Sequence, residues 1–136
     1  MTLKQIRVME ELKEVAKQSN MRCKHAAAIV DSKYNIICTG YNYYTGNYSK
    51  CYYYQSVHAE RDVLQRCNVG NIDGCDLYVI RWGCNNPGNS EYMMSAPCQR
   101  CESLINKYIE KYNLNKVYYS LHSNINKNNI CLKSMN

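Results

Sequence analysis

The stretch "SAPCQRCESL" (95–104) sets two cysteines three positions apart behind a proline, and three chemistries fit that spacing: a disulfide, a redox couple, or half of a metal site. Pro97 belongs at the first turn of a helix, where its missing N–H costs nothing. In such a helix Cys98 and Cys101 lie at i and i+3 and present both sulfurs to one side. The helix dipole and the unpaired N–H groups there favour thiolates, which suit a soft or borderline cation. Two sulfurs are too few ligands, so a second stretch must be weighed with the first. "SVHAERDVL" (56–64) supplies His58 at another helix start, with Glu60 beside it.

Taken singly, each pattern has an ordinary reading. A lone His-Ala-Glu at a helix start is chance or capping, and a lone C-x-x-C fits a thioredoxin-like redox pair. Together they favour zinc, because His58, Glu60, Pro97, Cys98 and Cys101 all fall at helix starts separated by a glycine stop and an apolar strand. One imidazole and two thiolates make three protein ligands, and three ligands with an open position distinguish catalytic zinc sites from closed structural ones. Glu60 then reads as the acid/base that takes a proton from an activated water and passes it to a substrate.

The flanking sequence supplies the scaffold. Leu3, Ile6, Met9, Leu12, Val15 and Ala16 recur at helical spacing over 3–17, which predicts an amphipathic helix. "HAAAIVD" (25–31) and "NIICTGY" (35–41) read as antiparallel strands about a polar turn, and "DLYVIRW" (76–82) is the clearest strand of the chain. The second helix begins at Val57 with Ser56 as its N-cap, turns Val57, Val63, Leu64 and Cys67 inward, and stops at "NVGNIDG" (68–74). The third runs from Pro97 to about Lys111, with Leu104, Ile105, Tyr108 and Ile109 as its buried stripe. Residues 42–56 and 83–96 read as loops. "KVYYS" (116–120) and "ICLKSM" (130–135) read as final strands, and the link between them is too short for a helical crossover, so they should pair antiparallel. The order of elements implies an α/β fold in three layers (α/β/α), a mixed sheet of about five strands with helices on both faces. Residues 1–136 are expected to form a single domain.

Composition narrows the function classes. No apolar run approaches the length of a membrane span, and the opening residues are charged and helical, unlike a cleavable leader, so an unprocessed cytoplasmic protein is expected. Nine cysteines, an odd number, in a chain able to bury its own core fit reduced thiols better than disulfides. Cys23, Cys38, Cys67 and Cys75 read as small buried or incidental thiols, and His25 and His122 as structural or surface histidines. The net charge of +6 comes from scattered Lys and Arg and does not favour a nucleic-acid-binding tail.

With both motifs read, His58-Ala59-Glu60 and Pro97-Cys98-Gln99-Arg100-Cys101, the chain resembles the cytidine and deoxycytidylate deaminase superfamily over nearly its whole length. "GYN" (40–42) and "LYVIRW" (77–82) fall where that family places corresponding elements. The resemblance implies a Zn2+ cofactor on His58, Cys98 and Cys101, with Glu60 catalytic. It also implies Asn42 at the sugar, the backbone of Ala59 at the base, and carbonyls of Ser95 and Ala96 accepting the substrate amine. The implied reaction is hydrolysis of a cytosine nucleoside or nucleotide to the uracil form with loss of ammonia, by a homo-oligomer acting on a small-molecule substrate. The alternatives are a deaminase of RNA or single-stranded nucleic acid, for which Tyr-rich 41–54 could stack bases, and a structural zinc module closed by Cys51 or Cys84.

Three departures from the family pattern bear on substrate. His58 and Cys98 stand 40 positions apart, farther than usual, and the excess falls in 83–96, whose Glu91, Tyr92, Met93 and Met94 are candidates for the pocket mouth. Arg61-Asp62 follows Glu60, where deoxycytidylate deaminases commonly carry an Asn two positions on. An antiparallel last strand resembles nucleoside-type cytidine deaminases more than deoxycytidylate or tRNA enzymes.

Overall fold

The computed structural model describes residues 2–45, 56–86, 89–121 and 132–134; Cys51, His122 and most of the Tyr-rich connection lie outside them, as does the side chain of Cys84. The chain runs α1 (Leu3–Ala16), β1 (Lys24–Val30), β2 (Ile36–Tyr41), β3 (Tyr43–Tyr44), β4 (Ser56–Val57), α2 (Ala59–Arg66), β5 (Asp76–Asn86), β6 (Asn89–Met93), α3 (Gln99–Tyr112), β7 (Val117–Ser120) and β8 (Leu132–Ser134). The main sheet has the order β2-β1-β5-β7-β8, and β6 pairs with β5. Among the described strands only β5 and β7 pair in parallel, joined by the passage through β6 and α3; β7 and β8 are antiparallel, as the short link requires.

Alternation along the strands divides the apolar residues between two cores. Ala26, Ala28, Val30, Tyr78 and Ile80 face α1, meeting Val8, Met9, Leu12 and Ala16. Ala27, Ile29, Leu77, Val79 and Val117 face the other way, toward Ala59, Val63, Leu64 and Ile105 from α2 and α3. This is the three-layer arrangement expected. The small side chains of β1 let helices press on both faces of a central strand. Cys67 and Cys75 are buried in the second core with Cys38 packed against it, and burial pushes the Cys67 thiol up to about 11, which keeps it protonated and inert.

Several local expectations are corrected. Leu3 is 84% exposed and Val8 takes its place in the buried stripe of α1, because the Thr2–Gln5 capping box starts the helix with Leu3 turned outward. Ser56 does not cap α2. It pairs with Tyr44 in the β3–β4 ribbon, and the cap position falls to His58. Segment 83–96 is not simply a loop: β5 runs on to Asn86 and turns back as β6, with Trp82 opposite Tyr92 and Gly83 opposite Glu91. Pairing with a neighbouring strand overrides the loop-like Gly and Asn content.

Two features near α2 control its placement. Gly40 on β2 lies so close to α2 that an added Cβ would come within 2.7 Å of the Val63 nitrogen and 2.8 Å of Asp62 Oδ2. Asp62 itself is buried, accepts the Tyr41 N–H at 3.2 Å and pairs with Arg66 at 2.8 Å, so the helix is tied to the strand it touches. At the start of β1, His25 stands opposite Arg81 of β5. Its N–H donates to Asn42 Oδ1 at 2.8 Å and its Nδ1 lies 3.3 Å from Asn42 Nδ2. Burial, and secondarily the charge of Arg81, hold its imidazole down at about 4.

Gly40→Ala should destabilise the fold by roughly 1–3 kcal/mol, since the obstructing atom is backbone and cannot yield; an unchanged denaturation midpoint would refute the close approach. His25 gives a pH signature. The unfolded chain takes up a proton that the folded chain resists, so stability from this group is present above pH 6.5 and is lost as pH falls toward 4, on the order of 3 kcal/mol in all. His25→Gln should flatten that part of the stability–pH curve, and parallel curves for the two proteins would contradict the assignment.

Candidate active site

Both helices at the site start on a residue that does not cap them. His58 occupies the N-cap of α2 and Cys98 that of α3, each with extended backbone and neither with a side-chain cap hydrogen bond. A Ser or Asp at such a position typically contributes about 1 kcal/mol, so the local rule is broken at both helices, in the same place and for the same reason. The side chains turn toward each other instead. His58 Nδ1 lies 3.3 Å from Cys101 Sγ and 3.6 Å from Cys98 Sγ, and one ligand atom from each of the three residues falls within 4.8 Å of the others.

These separations test the donor set against zinc. Tetrahedral bonds of about 2.3 Å to sulfur and about 2.0–2.1 Å to nitrogen put S and N about 3.5 Å apart, and the observed distances bracket that value. His58 and Cys98 are exposed while Cys101 is buried, so the group opens on one side. Burial pushes the Cys101 thiol up, and the neighbouring Glu60 adds to the rise. A coordinated thiol is instead deprotonated outright, so a divalent cation supplies the charge this cluster otherwise lacks. Among the described residues this is the one such group.

Glu60, in the first turn of α2, is buried at 5% exposure, and desolvation raises its pKa above the ordinary carboxylate value. His58 and a hydrogen bond with Cys101 pull the other way but less strongly. A carboxyl so placed holds a proton more readily than an exposed one, which suits it to act as an acid as well as a base.

A cavity of about 170 Å3 adjoins these groups and is lined by Asn42, His58, Ala59, Glu60, Ser95, Ala96 and Cys98, with Met21, Cys23 and His25 on the remaining wall. Of the expected metal, catalytic and substrate residues, all but Cys101 therefore border one space. Asn42 enters it already engaged: its Nδ2 donates to Cys23 O at 2.6 Å and its Oδ1 accepts from His25. Ser95 is held by its hydroxyl, which donates to Val79 O at 2.9 Å and meets Ser120 Oγ at 2.9 Å. That anchor fixes the backbone leading into Pro97 and the cysteines.

Two expectations fail here. Glu91, Tyr92, Met93 and Met94 are absent from the cavity wall; Tyr92 packs on Trp82 in the core beneath α1, because its strand position points it to the opposite face of the sheet. The wall formed by Met21 and Cys23 went unnoticed in the sequence, since neither residue belongs to a spaced motif. His25, read as an ordinary structural histidine, belongs to that wall as well.

The family model described as the cytidine and deoxycytidylate deaminase zinc-binding region matches residues 3–120. Among solved structures, the chain is similar to dCMP deaminase from the cyanophage S-TIM5 in complex with dCMP and dUMP, at 22% identity and a TM-score of 0.57 over 92% of this chain and 87% of that one. The apo form of the same protein gives 21% identity and a TM-score of 0.52 over 91% and 88%. At such identities the likeness speaks for the fold. No curated protein matches the sequence. With a family model spanning most of its length, and a three-ligand cluster whose spacing suits the ion, this chain belongs to the cytidine and deoxycytidylate deaminase family of zinc-dependent hydrolytic deaminases.

Proposed function

We propose that the chain converts a cytosine nucleoside or nucleotide to its uracil form with release of ammonia, using His58, Cys98 and Cys101 to hold zinc and Glu60 as the acid/base. The observation that carries this reading is the shared cavity, which brings the buried carboxyl, the three-ligand cluster and the expected substrate contacts to one space. A structural neighbour in complex with dCMP and dUMP agrees with the pyrimidine class. Zinc, when bound, supplies Lewis acidity that lowers the pKa of water toward about 7.

The chain's own groups do the rest. A Glu60 oxygen takes a proton from the attacking water and delivers it to the ring nitrogen, which makes the carbon bearing the amine electrophilic. Water's oxygen bonds to that carbon, and the C–N bond to the exocyclic amine breaks. Glu60, now ionised again, takes the remaining proton of the added hydroxyl and transfers it to the amine, which departs as ammonia and leaves a carbonyl at that carbon. The backbone of Ala59 holds the base, the carbonyls of Ser95 and Ala96 accept from the leaving amine, and Asn42 contacts the sugar. Depth of burial keeps bulk water from competing with Glu60 for the proton. By the same family resemblance, the working form is a homo-oligomer.

Ammonia release should be measured on zinc-loaded protein over cytidine, deoxycytidine, their monophosphates, and guanine and adenine counterparts; turnover confined to the cytosine members is expected, and none at all would defeat the assignment. Glu60→Gln should reduce kcat by at least about 100-fold while leaving the zinc content at that of the wild type. X-ray absorption should find two sulfur neighbours per zinc; a third would mean that another cysteine closes the sphere, as in a structural module.

A further inference from the structure

A buried junction beside the cavity joins β5, β6 and β7. β5 pairs in parallel with β7 as far as Val79, opposite Tyr119, and with β6 from Arg81, opposite Met93. Where one partner strand gives way to the other, two hydroxyls fill the gap: Ser95, 4% exposed, just beyond β6, and Ser120, fully buried, at the end of β7. Ser120 Oγ accepts the Arg81 N–H at 3.2 Å and donates to Met93 O at 2.6 Å. A hydroxyl carries a single proton to donate. Ser120 has therefore spent its own, and at the 2.9 Å contact between the two oxygens Ser95 is the donor, sharing its proton with Val79 O.

Ser120 also grips the backbone of Ser95. Its carbonyl accepts the Ser95 N–H at 3.0 Å, and its N–H donates to Ser95 Oγ at 2.9 Å. The N–H and hydroxyl of Ser95 are thus both committed to the interior. What it has left is a carbonyl, which accepts no hydrogen bond among the described residues, while Ser95 itself lines the cavity with Ala59, Glu60 and Cys98. Buried polar groups are ordinarily paired, so an idle acceptor in this wall calls for a donor that enters from the cavity.

We propose that Ser120 is a positioning residue for the leaving group: by holding Ser95 through both its N–H and its hydroxyl, it fixes the Ser95 carbonyl where the departing amine donates to it. The inference rests on the deamination reading above and deepens it by assigning a role to a residue outside the cavity wall. Attack turns a planar amine into a tetrahedral one, and protonation by Glu60 gives it positive charge. Its hydrogen bond to a fixed carbonyl therefore strengthens as the C–N bond breaks. An acceptor that had to be brought into line at that moment would forfeit part of the gain. Ser120 touches no substrate atom, and its effect falls on kcat rather than on KM.

Changing the leaving group tests this. The cytosine substrate that zinc-loaded wild type turns over is compared with its analogue carrying chlorine in place of the exocyclic amine. Water's oxygen bonds to the same carbon in both, but the analogue loses chloride, which has no hydrogen to donate. Ser120→Ala should lower kcat for the amine by on the order of 10-fold, with KM and zinc content near those of the wild type, and leave turnover of the chloro analogue within about twofold. Ser95→Ala, which leaves Ser120 its bonds to Arg81 and Met93, should show the same selective loss, and it carries the comparison alone if Ser120→Ala does not fold. A fault confined to packing or to the zinc ligands slows both compounds alike. Equal loss for the two leaving groups, no loss for the amine, or failure of both variants to fold would each overturn the proposal. A wild type that turns over no cytosine compound would instead remove the deamination reading, and this inference with it.

Discussion

Everything at the site follows from the meeting of two helix N-termini over the edge of one sheet. Each helix gives up a side-chain cap, His58 in α2 and Cys98 in α3, so that an imidazole and two sulfurs can approach within 3.3 and 3.6 Å. Without a cation this gathering is unfavourable, because it buries a thiol beside a carboxyl and leaves the first helical N–H groups without their usual partners. The dipoles of both helices then point at the site and favour whatever anionic form the sulfurs take. Folding therefore gathers an imidazole and two sulfurs whose deprotonated forms a divalent cation would stabilise.

Holding the two helices there is the work of the second core. Leu77, Val79 and Val117 from the sheet pack against Val63, Leu64 and Ile105, so α2 and α3 share one apolar bed. The absence of a Cβ on Gly40 lets α2 lie directly on β2, and Asp62 fixes the contact with the Tyr41 N–H. At this position, where an Asn was expected of a deoxycytidylate deaminase, Asp62 ties α2 to β2 through the Tyr41 N–H and also pairs with Arg66 along its own helix. Geometry of the metal ligands is in this sense a readout of how tightly β2 and α2 are packed.

The two motifs were legible because metal chemistry demands fixed residue types at fixed helical spacing, and the central strands because apolar runs bounded by turn residues leave few alternatives. The antiparallel last strand followed from the shortness of the link before it. Caps and loops were less readable. Ser56 is an excellent N-cap by propensity, yet strand pairing with Tyr44 claims it two residues before the helix. Gly83 and Asn86 suggest a loop by composition, but the next strand, β6, folds back and continues the ladder through them. Tyr92 looked like a pocket residue by proximity to the cysteines; only the register, which cannot be deduced without knowing the pairing, turns it to the α1 side.

That hairpin also gives the unusually long separation of the two motifs a physical meaning. Beyond Val79 the edge of β5 facing β7 is taken over by β6, with Arg81 paired to Met93, while the other edge remains on β1 with Arg81 opposite His25. The strand is thus clamped on both sides at Arg81. Ser120 completes the clamp: its hydroxyl accepts the Arg81 N–H and donates to Met93 O, and its carbonyl accepts the Ser95 N–H. The extra length accordingly does not enter the pocket. It fixes the register of β5 and, through Ser120, the backbone of Ser95 that leads into the cavity wall. A longer link that merely decorated the surface would have no reason to share its hydrogen bonds with both.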